Sequence, residues 1–432
     1  MHHFKLVWRL LFNFALCYNK GDLTKIKTME YHMRNVLEDM DRCVGCSACA
    51  QRCPTQCISM QHDHEGFLVP YIDANRCVDC GQCKKVCPVL NTGMEIPNAN
   101  QEPGFPRAWA AWSLNDAIRL SSSSGGIFSL LAESCLSRGG TVFGAAFDQD
   151  FMVRHTGITE PSELDSLRRS KYVQSDINQC FREAEKLLKA HKPVLFSGTG
   201  CQIAGLKSFL GKDYPDLLTV DLACYGVPSP RVWSLYLEDM KKRFKSEIEA
   251  ISFRDKKNGW KHYCMHISFK NGRSYRDAAV KDPFFIGFGK NLFSRKSCYN
   301  CLFRHPHSRA DITLADFWGA DKLGIVNTQD DKGISLVIAN TPRGQAALEA
   351  IRENCFLVET SFREATSKNP RLTVSAPMPH ARTLFFEDMN SGMHFSSLKR
   401  KYMNRFVQNF KLMARKILGS GMVDRLRKLL RG

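Results

Sequence analysis

Eight cysteines in two similar runs are the residues of this chain whose types and spacing point most directly to chemistry. The runs read Cys43-x2-Cys46-x2-Cys49-x3-Cys53 and Cys77-x2-Cys80-x2-Cys83-x3-Cys87, and a proline follows each of them. In proteins with two 4Fe-4S clusters, three thiolates of such a run bind one cluster and the fourth binds the other. The spacing therefore predicts two clusters with crossed ligands: the first set is Cys43, Cys46, Cys49 and Cys87, and the second set is Cys77, Cys80, Cys83 and Cys53.

Zinc binding and disulfide formation are the alternative chemistries for such runs. Four thiolates also bind structural zinc, and closely spaced cysteines in secreted proteins form disulfides. Zinc sites, however, usually pair one C-x2-C with a second, distant C-x2-C. The spacing therefore favours a bacterial-type ferredoxin module with two 4Fe-4S clusters.

Four further cysteines, called here the third set, occur later in the chain: Cys201, Cys224, Cys298 and Cys301. The first two follow apolar stretches that read as strands, and the last two form a C-x2-C. Open α/β sheets build their sites at strand ends, so the four side chains could meet there and bind a third 4Fe-4S cluster. Spacing alone leaves two alternatives open: zinc on the same residues, or free cysteines that pack as small apolar side chains.

Three other segments offer polar groups to a cofactor. Serines and glycines at 121–126 precede an apolar helical stretch, Ile127–Leu136, and a helix N-terminus suits a phosphate. The segment 170–175 contains a lysine and a tyrosine, and the segment 310–319 ends a strand with an acid and two aromatic rings. Each segment also fits an ordinary structural role as a helix cap, a surface lysine or a core ring.

Alternating strand-like and helix-like stretches must position these residues. The predicted strands are 192–197, 217–223, 312–315 and 334–339. Asn271-Gly272 between the stretches 263–269 and 274–276 predicts a β-hairpin. The expected fold is therefore α/β with a mixed sheet.

Composition shifts divide the chain into five segments. They are an N-terminal extension (1–40), the ferredoxin module (41–92), a linker rich in turn-forming residues (93–107), an α/β domain (108–375) and a basic helical tail (376–432). The apolar stretch 4–18 is interrupted by Lys5 and Arg9 and is too short to span a bilayer. The extension is either an amphipathic anchor or sequence upstream of the native start, because internal methionines follow at 29, 33 and 40.

The distribution of basic residues indicates a second kind of site, in the C-terminal tail. The chain has 61 Lys and Arg against 43 Asp and Glu, a net charge of +18, and eleven of the bases lie in 398–432. Apolar residues at helical spacing there predict helices that bind an anionic membrane surface or pack on their own domain. No nucleic-acid motif accompanies the charge, which argues against a nucleic-acid partner. With 18 cysteines and no signal peptide, we expect a cytoplasmic protein that could lie peripherally on the inner face of the cell membrane.

The ordered motifs of the α/β domain resemble the iron-sulfur flavoprotein family typified by the beta subunits of coenzyme F420 hydrogenase and dehydrogenase. The resemblance spans about 41–360 and rests on Ser-Ser-Gly-Gly (123–126), Ser-Lys-Tyr-Val-Gln-Ser (170–175), Gly-Thr-Gly-Cys-Gln (198–202), Cys-Tyr-Gly-Val-Pro-Ser (224–229), the C-x2-C at 298–301 and Ala-Asp-Ile-Thr-Leu-Ala-Asp-Phe-Trp-Gly (310–319). Gly200 stands where the family usually has proline, and the motif around it stays in register.

This resemblance implies an FAD in the α/β domain beside a third 4Fe-4S cluster on the third set. The residues that it implies for FAD contact are Ser124, Gly125, Gly126, Lys171, Tyr172, Gln174 and Thr199, with Asp316 and Trp318 at the rim. No general acid or base is assigned; His305 and His307 could donate to sulfur or to a substrate.

The implied fold is α+β or α/β, with a small ferredoxin domain, a mixed-sheet flavin-binding domain and a basic tail. The implied activity is that of an FAD-dependent, ferredoxin-linked oxidoreductase with a redox protein partner and an unidentified small-molecule substrate. The alternative is a non-catalytic electron-transfer subunit of a larger oxidoreductase.

Overall fold

A short helix lies within each cysteine run, and two short antiparallel strands lie between the runs. The computed structural model describes residues 35–92, 104–328 and 330–404. The elements of the cysteine-rich module are α1 (Ala48–Arg52), β1 (Ile58–His62), β2 (Leu68–Ile72) and α2 (Gln82–Lys85). Ser47 and Gly81, directly before the two helices, have left-handed backbones with φ of 63° and 68°. These turns lie between the second and third cysteine of each run, so they bring the thiols of one run together.

Eleven further strands form two sheets. They are β3 (Arg107–Ser113), β4 (Thr141–Phe147), β5 (Val153–Ile158), β6 (Val194–Thr199), β7 (Leu217–Leu222), β8 (Ile248–Asp255), β9 (Cys264–Phe269), β10 (Ser274–Ala278), β11 (Ile312–Asp316), β12 (Ser335–Ala339) and β13 (Cys355–Thr360). The larger sheet has the order β13-β3-β12-β11-β7-β6-β4-β5, and the smaller has the order β10-β9-β8. In the larger sheet β4, β6, β7 and β11 run parallel, while the pairs toward both edges are antiparallel. The carboxyl ends of β6, β7 and β11 therefore share one edge, where α/β sheets build their sites.

Eleven α-helices cover the sheets. They are α3 (Asp116–Ser121), α4 (Ile127–Leu136), α5 (Leu164–Leu167), α6 (Cys180–Lys189), α7 (Gly200–Leu210), α8 (Pro230–Phe244), α9 (Pro283–Gly289), α10 (Pro342–Glu349), α11 (Phe362–Ser367), α12 (Ala381–Asn390) and α13 (Phe395–Leu398). Two of them begin at the shared edge. Helix α7 follows β6 directly, and its capping box joins Thr199 and Gln202. Helix α4 begins after Gly126, whose φ of 91° an L-residue rarely adopts.

An aromatic core joins the smaller sheet to the C-terminal helices. Trp233 of α8 packs against Phe253 and Phe284, and its ring centroid lies 4.8 and 5.0 Å from theirs. Phe385 of α12 and Phe395 of α13 are buried in the same cluster. Residues 381–403, which the sequence analysis placed in the tail, thus pack as part of the folded domain, and residues 405–432 lie outside the described residues.

The sheet predictions are confirmed. The four expected strands correspond to β6, β7, β11 and β12, the hairpin of β9 and β10 forms around Asn271-Gly272, and α4 spans the expected Ile127–Leu136. The mixed sheet is confirmed as well. Residues 1–34 and 93–103, which include most of the proposed extension and linker, lie outside the described residues. Within the described part of the chain, every helix is too short or too polar to cross a bilayer.

Candidate functional site

The third set meets at the shared sheet edge, where its four thiols line one cavity. Cys201 lies in the first turn of α7, directly after β6, and Cys224 follows the end of β7. Cys298 and Cys301 arrive from a short 3-10 helix, Lys296–Asn300, and the residue after it. The fold therefore brings together three segments that are far apart in sequence.

The third-set cysteines are partly buried, and their thiols lie close enough to influence one another's ionisation. Burial and the neighbouring cysteines raise the pKa of Cys201 well above its usual value, and burial raises the pKa of Cys298 to about 12. A zinc ion needs its sulfur ligands about 2.3 Å from one point. Among residues 35–92, 104–328 and 330–404, no group of three or more Cys, His, Asp or Glu is placed to hold a single ion. Four thiolates around one cavity are also the ligand set of a 4Fe-4S cubane, in which each thiolate binds its own iron.

Two buried nitrogens in the wall of the third-set cavity support this interpretation. Arg304 Nε and His305 Nδ1 have no hydrogen-bond partner within the described structure, although both residues are buried and line the cavity. The other ring nitrogen of His305 is 3.2 Å from Thr313 Oγ1. Burial lowers the pKa of His305 to about 4, so the ring is neutral at pH 7. A buried N–H without a partner is costly, and a cluster sulfur would accept from the Arg304 Nε–H. His307, by contrast, is exposed.

The first set lies in a second cavity against the same domain. Cys43, Cys46, Cys49 and Cys87 line it together and all four are buried. Cys87 comes from the second run, as the crossed ligand rule requires. Helix α7 packs on this set so closely that a Cβ atom on Gly205 would lie 2.9 Å from Cys46 Sγ. The helix that begins beside one predicted cluster therefore contacts the ligands of another.

The second set lies toward the solvent. Cys80 is exposed, and Cys77 and Cys83 are partly buried. The fourth member, Cys53, is buried with its sulfur 3.3 Å from that of Cys57. Sequence reasoning missed Cys57, although its position four residues after Cys53 was the available signal.

A larger cavity of about 260 Å³ opens on the other side of the third set. Seven of the nine residues implied for FAD line it: Ser124, Gly126, Lys171, Tyr172, Thr199, Asp316 and Trp318. The N-terminus of α4 lies in its wall together with Arg168 and Arg169. Helix N-termini and cations both favour bound anions, so this end of the cavity suits a diphosphate.

The remaining two implied residues lie elsewhere. Gly125 packs against β3 and β12, where a Cβ would lie 2.3 Å from Ala111 O. Gln174 is buried against the ferredoxin module, and its Oε1 accepts from the backbone N–H of Leu68 at 2.9 Å. The structure therefore gives Gln174 a place at the contact between the two domains instead of in the cavity wall.

Lys171 is held by backbone oxygens. Its Nζ donates to the carbonyls of Ser166 and Arg168, each at 2.8 Å. Burial, with a smaller effect of Arg169, lowers the pKa of the Lys171 ammonium to about 7. The serine-rich segment contacts the same stretch, since Ser123 Oγ accepts from the Ser170 N–H at 2.8 Å. Two motifs that are distant in sequence thus form one wall.

A buried ion pair fixes the rim, and sequence reasoning missed its basic partner. Arg254 of β8 donates to both carboxylate oxygens of Asp316, each at 2.9 Å. Trp260 Nε1 donates to the same carboxylate at 2.8 Å, and the guanidinium lies 3.9 Å from the ring centroid of Tyr263. Bidentate pairing of this kind is specific to arginine, but nothing in the local sequence around Arg254 marks it.

The large cavity and the third-set cavity share a wall. The residues that line both are Thr199, Leu222, Ala223, Cys224, Gly226 and Val227. A cofactor in the large cavity would therefore lie next to a third-set ligand. The arrangement can pass electrons between the two cavities without crossing solvent.

Comparison with known proteins locates two families in the chain. Residues 42–91 match the model described as a 4Fe-4S dicluster domain, and residues 191–364 match that of the C terminus of the coenzyme F420 hydrogenase/dehydrogenase beta subunit. Both ranges contain cysteine sets; the serine-rich segment and Lys171 lie outside them. No curated protein matched the chain. A chain in the xenon-derivatised F420-reducing NiFe hydrogenase complex from Methanosarcina barkeri is 16% identical, with a TM-score of 0.39 over 73% of this chain and 93% of that one.

Proposed function

We propose that this chain is an oxidoreductase of the coenzyme F420 hydrogenase/dehydrogenase beta subunit family, which passes electrons between 4Fe-4S clusters and an FAD in the large cavity. The dicluster domain at 42–91 makes it an iron-sulfur electron-transfer protein. The wall shared by the two cavities, which includes Cys224, is the observation that carries the proposal. It brings a cavity of about 260 Å³ next to a thiol quartet.

Different residues of the chain would hold different parts of such a cofactor. The N-terminus of α4 with Arg168 and Arg169 would hold the diphosphate, and the aromatic rim with Asp316 would border the ring system. A bound FAD supplies exchange of two electrons with an organic substrate and of single electrons with clusters. Arg254 holds the Asp316 carboxylate in one orientation, because both carboxylate oxygens accept from it.

The three sets form a route across the molecule. Cys80 of the second set is exposed, the first set is buried beneath it in the same module, and Cys46 of the first set contacts α7. Cys201 in the first turn of that helix belongs to the third set, which borders the large cavity. Electrons would therefore travel through protein between the surface and the flavin.

Quantification after anaerobic purification tests this proposal. We expect about twelve irons and as many sulfides per chain for three clusters, together with one FAD. Reduction by dithionite should bleach the flavin, and an organic acceptor should restore its absorbance. A preparation with all its iron but no flavin would contradict the proposal.

The second candidate is an electron-transfer subunit without a substrate site of its own. The exposure of Cys80 favours it, since a partner enzyme could take electrons there. Turnover of a small molecule by the purified chain without a partner would exclude it.

A further inference from the structure

The loop that carries the second set is the part of the three-set route that reaches solvent. All four cysteines of the first set are buried, and those of the third set line an internal cavity. Cys80 is exposed, by contrast, within the described residues of the module. Single-electron exchange with another protein requires close approach to the cluster, so a partner would approach here.

The stretch of the module around this cysteine contains exposed apolar and basic side chains. The second-set surface, as we call it, consists of Arg76, Val78, Cys80, Lys84, Lys85 and Leu90, all of them exposed. Val78 is 63% exposed and Leu90 is 45% exposed. Isolated exposed apolar residues are common, but two beside an exposed cluster ligand resemble the apolar centre of a protein interface.

The charge of this surface is unbalanced. It contains three cations, and Asp79 is the one acidic residue in its loop, 77–85. Neither Lys84 nor Lys85 forms an ion pair with any described residue. An acidic partner would therefore be attracted to this side of the module.

The surface is also held rigidly. Asn91 Nδ2 donates to the carbonyls of Lys84 and Lys85 at 3.0 and 2.8 Å, and so fixes the end of α2 beside Leu90. Arg76 Nη2 donates to the carbonyl of Thr55 at 2.9 Å. A surface that keeps its shape loses little conformational entropy when a partner binds.

We infer that the second-set surface docks a small acidic one-electron carrier of the ferredoxin type. The inference rests on the proposed electron route and names its external partner. In the step, one electron leaves the iron-sulfur cluster of the reduced carrier and enters the cluster of the second set. The carrier is oxidised by one electron, the second set is reduced by one, and no bond forms or breaks.

Charge reversal tests this docking surface on the full, cluster-loaded chain. The probe is a reduced, acidic bacterial ferredoxin, and the readout is the rate at which the second-set cluster is reduced, followed by stopped-flow absorbance and freeze-quench EPR. For the double variant Lys84→Glu and Lys85→Glu, we expect the second-order rate at low salt to fall at least about tenfold. The dependence of the rate on salt should also flatten or reverse.

A matched variant separates this local effect from a change in net charge. Lys270→Glu with Arg273→Glu makes the same charge change at exposed residues on the hairpin turn of the smaller sheet, and its rate should stay within about twofold of the parent. Equal losses in both variants, or a parent rate independent of salt, would overturn the inference.

Two further measurements keep the test decisive. Photoreduced deazariboflavin, a small uncharged reductant, should reduce the parent and the Lys84 and Lys85 variant at equal rates, which shows that the cluster is intact. Val78→Ser should lower the ferredoxin rate without changing its salt dependence, and an unchanged rate would contradict the apolar part of the surface. The readout does not involve flavin, so a chain without FAD would refute the proposed function and still permit this test.

Discussion

The ferredoxin module and the third set bring four cysteines together in opposite ways. The module places its cysteines within residues 43–87, with one cysteine of each run on a short helix that follows a left-handed turn. The third set collects Cys201, Cys224 and the pair at 298–301 from a helix N-terminus, a strand end and a loop. The first arrangement depends on local backbone geometry and the second on a correctly assembled sheet. A fault in the sheet should therefore affect the third set and the large cavity before it affects the module.

Serine at Cys298 gives the largest expected effect and tests whether the two arrangements are independent. We expect Cys298→Ser to lose about four of about twelve irons, because serine is a poor cluster ligand while the first two sets remain complete. Iron and sulfide analysis with EPR of the reduced protein measures the loss. If the variant retains all of its iron, the third set does not bind a cluster. If it loses all of its iron, the third set and the module do not assemble independently.

This difference also explains what sequence could predict. The two runs, the strands β6, β7, β11 and β12 and the hairpin at 271–272 follow from spacing and periodicity, which act over a few residues. Cys57, Arg254 and the contact of Gly205 with Cys46 do not, because each depends on a neighbour that only tertiary folding supplies. Gln174 is the instructive case. Its motif was interpreted as a flavin contact, but its side chain contacts the module through Leu68 and does not line the cavity.

Breaking the buried ion pair at the rim should give the next largest effect, confined to the sheet-based region. The side chain of Arg254 is 2% exposed, so Arg254→Met leaves the Asp316 carboxylate in a buried site without its partner. Such a loss costs about 3–5 kcal/mol of unfolding free energy. We expect a lower thermal midpoint and loss of bound flavin, with the EPR signals of the first two clusters unchanged.

An exposed ion pair provides the matched control for that variant. Arg107 also binds both oxygens of a carboxylate, that of Glu359, but the two side chains are 35% and 52% exposed. Exposed pairs contribute about 0–1 kcal/mol. Arg107→Met should therefore keep its flavin, and equal losses in both variants would show that burial does not decide the effect.

Mild acid should destabilise the sheet-based region more than the module, because of His155. This side chain is 3% exposed and lies in the wall of the large cavity. Its Nε2 donates to the carbonyl of Ser197 at 2.9 Å, so Nδ1 accepts from the Ser175 hydroxyl at 2.7 Å. Burial lowers the pKa of His155 from 6.5 to about 4. Between these values the unfolded chain binds a proton that the folded chain does not, so stability falls as the pH drops from 6.5 towards 4, by about 3 kcal/mol in total.

The variant His155→Gln removes this titration. We expect its thermal midpoint to fall less between pH 7 and pH 5 than that of the parent. His191→Gln changes an exposed histidine and should behave as the parent does. If the thermal midpoint of the parent falls by the same amount as that of His155→Gln, the assignment of this pH dependence to His155 is wrong. The histidines of the described module, His62 and His64, are exposed, so its clusters should not share this response.

The smallest expected effect concerns a residue at which the two arrangements touch. Gly205 lies in α7, four residues after Cys201, and packs against Cys46 of the first set. In Gly205→Ala the new Cβ would lie 2.8 Å from Cys46 Cβ and 2.9 Å from its sulfur, closer than side-chain atoms normally approach. Overpacking of this kind costs about 1–3 kcal/mol. Gly289→Ala is the matched control, because no atom lies within 4 Å of its added Cβ.

Local strain and a shifted module would produce different results in this variant. If α7 and the module move apart to admit the methyl group, electron transfer from the first set to the flavin should slow, because its rate depends on separation. The thermal midpoint should then fall while all of the iron is retained. If only the midpoint falls, the module has kept its place and the strain has been absorbed within α7. If neither changes relative to Gly289→Ala, the close packing of α7 on Cys46 is wrong, and with it the shortest link between the locally built clusters and the site built by the sheet.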